Sequence, residues 1–366
     1  MNIGFEAKRL FKNKSGLGAY SRSLVRHLIL FYPDLNIHLY TPPFVEREDT
    51  LFFINHERIS VHILPYPSWV WRSFLLPIFA KKHHLDVFHG LSAELPLLKF
   101  SKKTKTILTI HDVIFMSHPK YYSMLDKWIY QIKLKHAIKK ADQIIAISKF
   151  TKKQVAEYFI TKKPITVISP IINRLFSHPS HHLKHSEFEA LYNLRKGYFL
   201  YVGSLKGRKN TRILLKTLAI IPEEKKKKLV IITNDSAVEF LSDAVKYNVE
   251  DWVRVEKKVN DRTLSLYYSH CSALVYPSLV EGFGLPIVEG IFHSAIVVCS
   301  DHPALREAGG AVAEYFNPYN EEELACLLSK LSYYERKSKK ATLSHLNTYN
   351  PVLICGELMK VYAQER

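Results

Sequence analysis

Cysteine is scarce in this chain, and the four present, Cys271, Cys299, Cys326 and Cys355, fall in no C-x-x-C pair. That spacing excludes a zinc ribbon or dithiol redox motif and suits a reducing compartment. Acidic residues are also few, 34 against 52 Lys and Arg, for a formal charge of +18. Such an imbalance concerns partners rather than fold, and points to nucleic acid, an anionic membrane face or a phosphorylated substrate. Long apolar runs are missing. The most apolar window, Trp69 to Ala80, is broken by Arg72 and Pro77 and falls short of the ~20 residues of a membrane span. Met1 to Glu6 shows no basic segment leading into an apolar one, so no secretory signal is read and a soluble, cytoplasmic chain is expected. No recognised nucleic-acid module accompanies the charge, so nucleic acid is not an expected partner.

What is present is an alternation of short apolar runs with helical patterns, the mark of parallel sheets with crossover helices. With 366 residues, 47% of them hydrophobic, two halves can each bury a core. Strands are predicted at Asn2–Ala7, Ile37–Tyr40, Val61–Leu64, Val87–His89, Thr106–Ile110, Gln143–Ile147 and Ile165–Ile168. The pattern lapses after Phe176, where Ser, Pro, His and Lys gather. It restarts with strands at Tyr198–Val202, Leu229–Thr233, Val253–Glu256, Ala273–Tyr276, Ile296–Cys299 and Val312–Phe316. The expected organisation is a first domain over 1–177, a linker over 178–197 and a second domain over 198–345. A C-terminal helix within 346–366 returns to the first.

The segment richest in chemistry runs from Tyr276 to Glu289: a buried strand, a loop holding Glu281, Gly282, Phe283 and Gly284, then Leu285 and Pro286 opening a helix. Glycines let backbone approach a ligand, and a helix start offers amides to phosphate. Two carboxylates, Glu281 in the loop and Glu289 in the first helical turn, suit the hydroxyls of ribose and hexose. Loop amides for diphosphate and acids for diols describe a nucleotide-sugar pocket. Taken alone, the same spacing also fits a capping glutamate followed by a solvated one.

With that embedding, the segment resembles the E-x7-E signature of the retaining glycosyltransferases of family 4, which have the GT-B fold. Leu264–His270, Leu305–Gly310 and Tyr315-Phe316-Asn317-Pro318 are similar to flanking family patterns, and Tyr201-Val202-Gly203-Ser204 with Arg208-Lys209-Asn210 is similar to its phosphate loop. The resemblance implies an α/β protein of GT-B architecture, with two Rossmann-like domains facing across a cleft. It implies that Glu289 holds the ribose, while Glu281 and the backbone of Gly282, Phe283, Gly284 and Leu285 hold the transferred sugar. Lys209, with Arg208, would neutralise the departing diphosphate. Gly203 and Ser204 belong to the same donor loop, although the family often has Arg where Ser204 stands. His111, at a strand end, resembles the family's sugar-facing histidine. The catalytic candidates are therefore His111, Glu281 and Lys209. No D-x-D pair is present, so neither a metal nor another cofactor is expected. The implied reaction retains configuration, with the acceptor attacking the face the diphosphate leaves.

Gly16-Leu17-Gly18 opens a helix and is read as a donor approach, although Ser21 replaces the third glycine of a dinucleotide fingerprint. The second strand ends in Tyr40-Thr41 without the acid a dinucleotide ribose requires, which argues against a dehydrogenase. Aromatic and basic residues mix at Trp69–Phe74 and at Lys127–Lys140, a composition suited to peripheral docking on an anionic membrane. A lipid-linked or glycan acceptor, as in lipopolysaccharide synthesis, is the expected second substrate. A nucleotide-sugar epimerase of the same architecture, and an inactive nucleotide-sugar-binding partner, stay open.

Overall fold

The computed structural model describes residues 1–67, 70–177, 183–194, 197–331 and 339–364. The chain divides into two compact units, Met1–Asn173 with Tyr349–Arg366, and Arg174–Thr348.

Unit 1 holds a seven-stranded sheet in the order β3-β2-β1-β4-β5-β6-β7. Its strands are β1 (Asn2–Glu6), β2 (Asn36–Thr41), β3 (Ile59–Ile63), β4 (Val87–Gly90), β5 (Lys105–Ile110), β6 (Gln143–Ala146) and β7 (Ile165–Val167). All pair in parallel. Helices cover both faces of such a sheet, so its central strands are buried on both sides. β4, β5 and β6 are buried throughout. The helix Gly16–Phe31 turns Tyr20, Leu24, Val25, Leu28 and Ile29 inward, the stripe its period requires.

The C-terminal helix Pro351–Ala363 belongs to this unit. Asn350 caps its start by accepting from the Val352 amide, and Ile354, Cys355, Leu358, Val361 and Tyr362 are buried. At its far end the Lys105 ammonium donates to the carbonyls of Val361 and Gln364, both at 2.6 Å, a cation on the helix's unsatisfied acceptors.

Unit 2 repeats the plan with six parallel strands in the order β10-β9-β8-β11-β12-β13. These are β8 (Phe199–Val202), β9 (Leu229–Ile232), β10 (Val253–Glu256), β11 (Ala273–Tyr276), β12 (Ile296–Ser300) and β13 (Glu314–Phe316). Of the stretch read as a linker, 178–182 and 195–196 lie outside the described residues. Between them runs a helix, His185–Tyr192. Its one buried side chain, Phe188, stacks on His270 at 4.2 Å between ring centroids, which anchors the helix to unit 2. No apolar stripe announced this element, because only one of its side chains is fully buried.

Candidate functional site

In unit 2 the strand order reverses between β8 and β11, so the loops leaving these two neighbours diverge and open a crevice at their carboxyl ends. Both loops carry residues singled out from the sequence. After β8, Gly203 adopts φ +152°, and an added Cβ would lie 2.9 Å from the Tyr201 hydroxyl. Ser204 Oγ donates to Asp235 Oδ2 at 2.6 Å and the Leu205 amide donates to the same oxygen at 2.9 Å. One carboxylate thus fixes the loop. A 3-10 turn, Gly207–Lys209, then carries Lys209 into the interior, where it is 8% exposed.

After β11 the chain docks on that turn, the Leu279 amide donating to the Arg208 carbonyl at 2.9 Å. Gly284, at φ +125°, sits in the left-handed region, and an ideal Cβ there would lie 3.0 Å from Leu305 and 3.1 Å from Ile287. Only glycine fits both the dihedral and the space. Pro286 follows in the first turn of the helix Leu285–Phe292.

The two loops meet through Glu281. Lys209 Nζ and Arg208 Nη1 pair with its two carboxylate oxygens, the latter at 3.0 Å, and the Tyr276 hydroxyl donates to Oε1 at 3.2 Å. Lys209 also donates to the Tyr276 hydroxyl at 2.8 Å. Burial alone pushes the Glu281 pKa up, yet Lys209 and Arg208 outweigh it and hold it at about 2. The carboxylate is therefore ionised at every physiological pH. The three ionised groups sum to one positive charge, the sign that receives a phosphate.

Glu289 is a different carboxyl. It stands fifth in its helix rather than in the first turn, and it is buried, not solvated. The Tyr268 hydroxyl donates to its Oε2 at 2.8 Å. Burial raises its pKa to about 7, against the stabilising Tyr268 bond and helped by Asp261. A carboxyl poised there can donate or accept toward a vicinal diol.

In unit 1, His111 follows β5. Its Nε2–H donates to the Leu91 carbonyl at 2.7 Å, and its ring meets Tyr20 edge-on at 4.6 Å. Burial depresses its pKa to about 4, so the ring is neutral. It borders a cavity of about 210 Å³ that Arg9, Glu94, Tyr122 and Lys133 also line. Gly18 lies in the same unit, where a Cβ would fall 2.0 Å from the Asn13 carbonyl oxygen. The close approach it permits in this structure is therefore to its own chain. Gly16 begins the same helix.

The unit 1 sheet reverses order between β1 and β4, and sequence reading missed the cluster there. Arg72 pairs with Glu94 and, at 3.4 Å, with Glu6 at the end of β1. Tyr276, Tyr268 and Asp235 were missed as well. The available signal was a tyrosine closing or preceding a buried run, since a buried phenol requires a partner. Of the two aromatic–basic stretches, the first is mixed, with Phe74 37% exposed. Trp71 is 0% exposed, and Trp69 lies outside the described residues.

Two family models tile the chain: "Glycosyl transferases group 1" matches residues 185–342 and "Glycosyltransferase Family 4" matches 14–174. The chain belongs to glycosyltransferase family 4 and is a glycosyltransferase. It is 27% identical over 335 residues to the O-antigen chain mannosyltransferase B of Escherichia coli, covering 85% of each chain. It is also 27% identical to the O-antigen chain mannosyltransferase RfbU of Salmonella typhimurium, over 70% of this chain and 67% of that one. Among solved structures, Anabaena HepE with UDP and glucose superposes with a TM-score of 0.71 at 16% identity, over 99% of both chains. That likeness establishes the GT-B fold.

Proposed function

We propose that this glycosyltransferase moves a hexose, with retention and without a metal, from a GDP- or UDP-linked donor to a lipid-linked or glycan acceptor of a surface polysaccharide. The mannosyltransferase relatives favour mannose as that hexose. The observation that carries the reading is the Arg208–Glu281–Lys209 cluster, with Lys209 and Glu281 buried and one net positive charge at the carboxyl ends of β8 and β11. Arg208 and Lys209 stabilise the diphosphate as it departs, the part a metal plays in other enzymes. Glu281 holds the two cations in place. Its oxygens already accept at least three hydrogen bonds of roughly four sites, so the sugar hydroxyls rely mainly on the loop Gly282–Leu285. Glu289 takes the ribose diol, Gly203 and Ser204 border the phosphates, and His111 orients the hexose as a neutral imidazole. The departing diphosphate oxygen assists removal of the acceptor proton on the face it leaves.

The test is a thermal-shift panel of nucleoside diphosphates and their sugars, followed by transfer assays. Glu289→Ala and Lys209→Ala should each cut donor hydrolysis and transfer by orders of magnitude, and EDTA should leave the rate unchanged. Donor turnover left undiminished by both substitutions overturns the assignment.

The acceptor side rests on a second observation. Along the helix Met124–Lys140, Met124, Leu125, Trp128 and Ile132 are exposed at 90%, 65%, 61% and 47% and fall on one stripe, which Lys135 and Lys139 continue. Among the described residues no helix is long and apolar enough to cross a membrane. An apolar stripe with lysines suits the plane of an anionic bilayer. Flotation with anionic vesicles should carry the protein at low salt, and Trp128→Glu should release it.

A further inference from the structure

Three histidines that the transferase chemistry does not use converge on one face of the unit 1 sheet. Tyr40 pairs directly with His62 across β2 and β3, and His38 pairs with Ser60. His38, Tyr40, Ser60 and His62 therefore share a face, since side chains alternate along a strand. The helix Leu76–Lys82 ends beside them and its C-cap residue is His83. His38 Nδ1 and His62 Nε2 lie 3.0 Å apart, and the His62 and His83 rings stack at 4.2 Å. One ring nitrogen from each of the three lies within 4.8 Å of the others.

We propose that His38, His62 and His83 form a binding site for a divalent transition metal, with zinc the natural occupant, that fastens edge strand β3 to β2 and to the helix Leu76–Lys82. Three imidazoles around one point match the nitrogen set that zinc, nickel and copper prefer and that magnesium and calcium do not. Tetrahedral zinc at 2.0–2.1 Å from each nitrogen asks for nitrogens about 3.3 Å apart. The His38–His62 pair is already that close, and side-chain torsion brings His83 in. Binding replaces the hydrogen bond between the first two rings. The shared proton moves through solvent to the far nitrogen of its own ring, so no net proton is released.

Two further features suit a ligand role. A metal-bound imidazole must be neutral, and burial, reinforced by neighbouring charge, depresses all three, His62 to about 4. The Tyr40 hydroxyl lies 2.8 Å from His83 Nδ1. It fixes that ring as an outer hydrogen bond fixes the rings of known metal sites. The nearest cation opposing the site, Lys82, is solvent-exposed and screened.

The test uses untagged full-length protein stripped with chelator and titrated with zinc chloride. Expected are one tight zinc per chain, a raised Tm, and, with cobalt as the probe, the intense visible bands of a tetrahedral ion. His62→Ala and His83→Gln should each weaken zinc at least about 100-fold, Tyr40→Phe about 10-fold, and the outlying His56→Ala not at all. Near-UV circular dichroism checks that each variant is folded. If one is not, the wild-type cobalt spectrum and His83→Gln decide. No saturable zinc binding in the wild type, an octahedral cobalt spectrum, or undiminished binding in folded His62→Ala and His83→Gln overturns the site. Because these residues lie outside the transfer chemistry, removing zinc should leave nucleoside diphosphate binding intact. Failure of the metal site is thereby separable from failure of the proposed transferase reading.

Discussion

The two strand-order reversals invite comparison, because one topology carries two different arrangements of charge. In unit 2 the residues after β8 and β11 place two cations on one carboxylate, Arg208 and Lys209 on Glu281. In unit 1 the residues near β1 and β4 place one guanidinium, Arg72, between two carboxylates, Glu6 and Glu94. Lys133 approaches Glu94 at 3.6 Å, but it is half exposed and screened. Burial raises the Glu6 pKa against the pull of Arg72, whereas the Glu281 pKa is driven down to about 2. The fold supplies a crevice twice, and side chains decide which anion or hydroxyl each can take. A cationic crevice suits the diphosphate of a donor. The unit 1 crevice mixes both signs, with Arg9 as well as Arg72 acting on Glu6, and places no pair of cations on one buried carboxylate.

The largest effect should come from removing the cation that makes the difference. Lys209→Ala leaves Glu281 with Arg208 alone, so the cluster becomes neutral. Transfer should fall about 10³-fold, the scale of losing one preorganised charge partner in a dry site, with weaker nucleoside diphosphate binding by calorimetry. Unchanged affinity for the diphosphate would dissolve the contrast. In unit 1, Arg72→Ala leaves two carboxylates facing each other. Breaking such a partly buried pair should lower stability by about 4 kcal/mol, read from denaturant unfolding, while diphosphate affinity stays unchanged.

The contrast also runs inside unit 2. Glu281 is held ionised by partners, and Glu289 is held near neutrality by desolvation. The folded pKa of Glu289, about 7, lies above its unfolded value, so the native state binds the extra proton between pH 4.5 and 7 and stability from this group falls as pH rises. Glu289→Gln should therefore stabilise the protein at pH 8 by up to about 3 kcal/mol, and change little at pH 5. Tm measured at both pH values checks this. A uniform offset would mean that ionisation plays no part. Glu281 has the opposite sign. Its stabilisation is present above pH 4.5 and is lost as pH falls toward 2.

Most strands were legible because a parallel sheet buried on both faces leaves largely apolar runs, such as Ile144–Ala146 and Ala273–Val275. The helix His185–Tyr192 was not, since only one of its side chains, Phe188, is fully buried. In the site, strand–loop–helix punctuation exposed Glu281, Glu289 and Lys209 as candidates. What it could not expose was pairing. Lys209 and Glu281 stand 72 positions apart, and only the reversal of strand order brings them together. Gly18 shows the converse, because a glycine read for ligand approach is also required by the Asn13 carbonyl.

The smallest effect sharpens the comparison at its least expected residue. Ser204 stands where the family resemblance led one to expect arginine, and its hydroxyl serves Asp235 rather than facing outward as a charge. Asp235 is partly buried, yet Ser204, the Leu205 amide and Lys206 together lower its pKa below the ordinary carboxylate range. The loop is therefore held from behind, and the cationic work falls to Arg208 and Lys209. Ser204→Ala removes one of two hydrogen bonds to Asp235 Oδ2 and leaves the Leu205 amide in place. It should cost about 1 kcal/mol, seen as a several-fold rise in donor KM with kcat nearly unchanged. A large fall in kcat would instead make Ser204 a partner of the leaving diphosphate. The positive charge of unit 2 would then no longer be enough to explain its difference from unit 1.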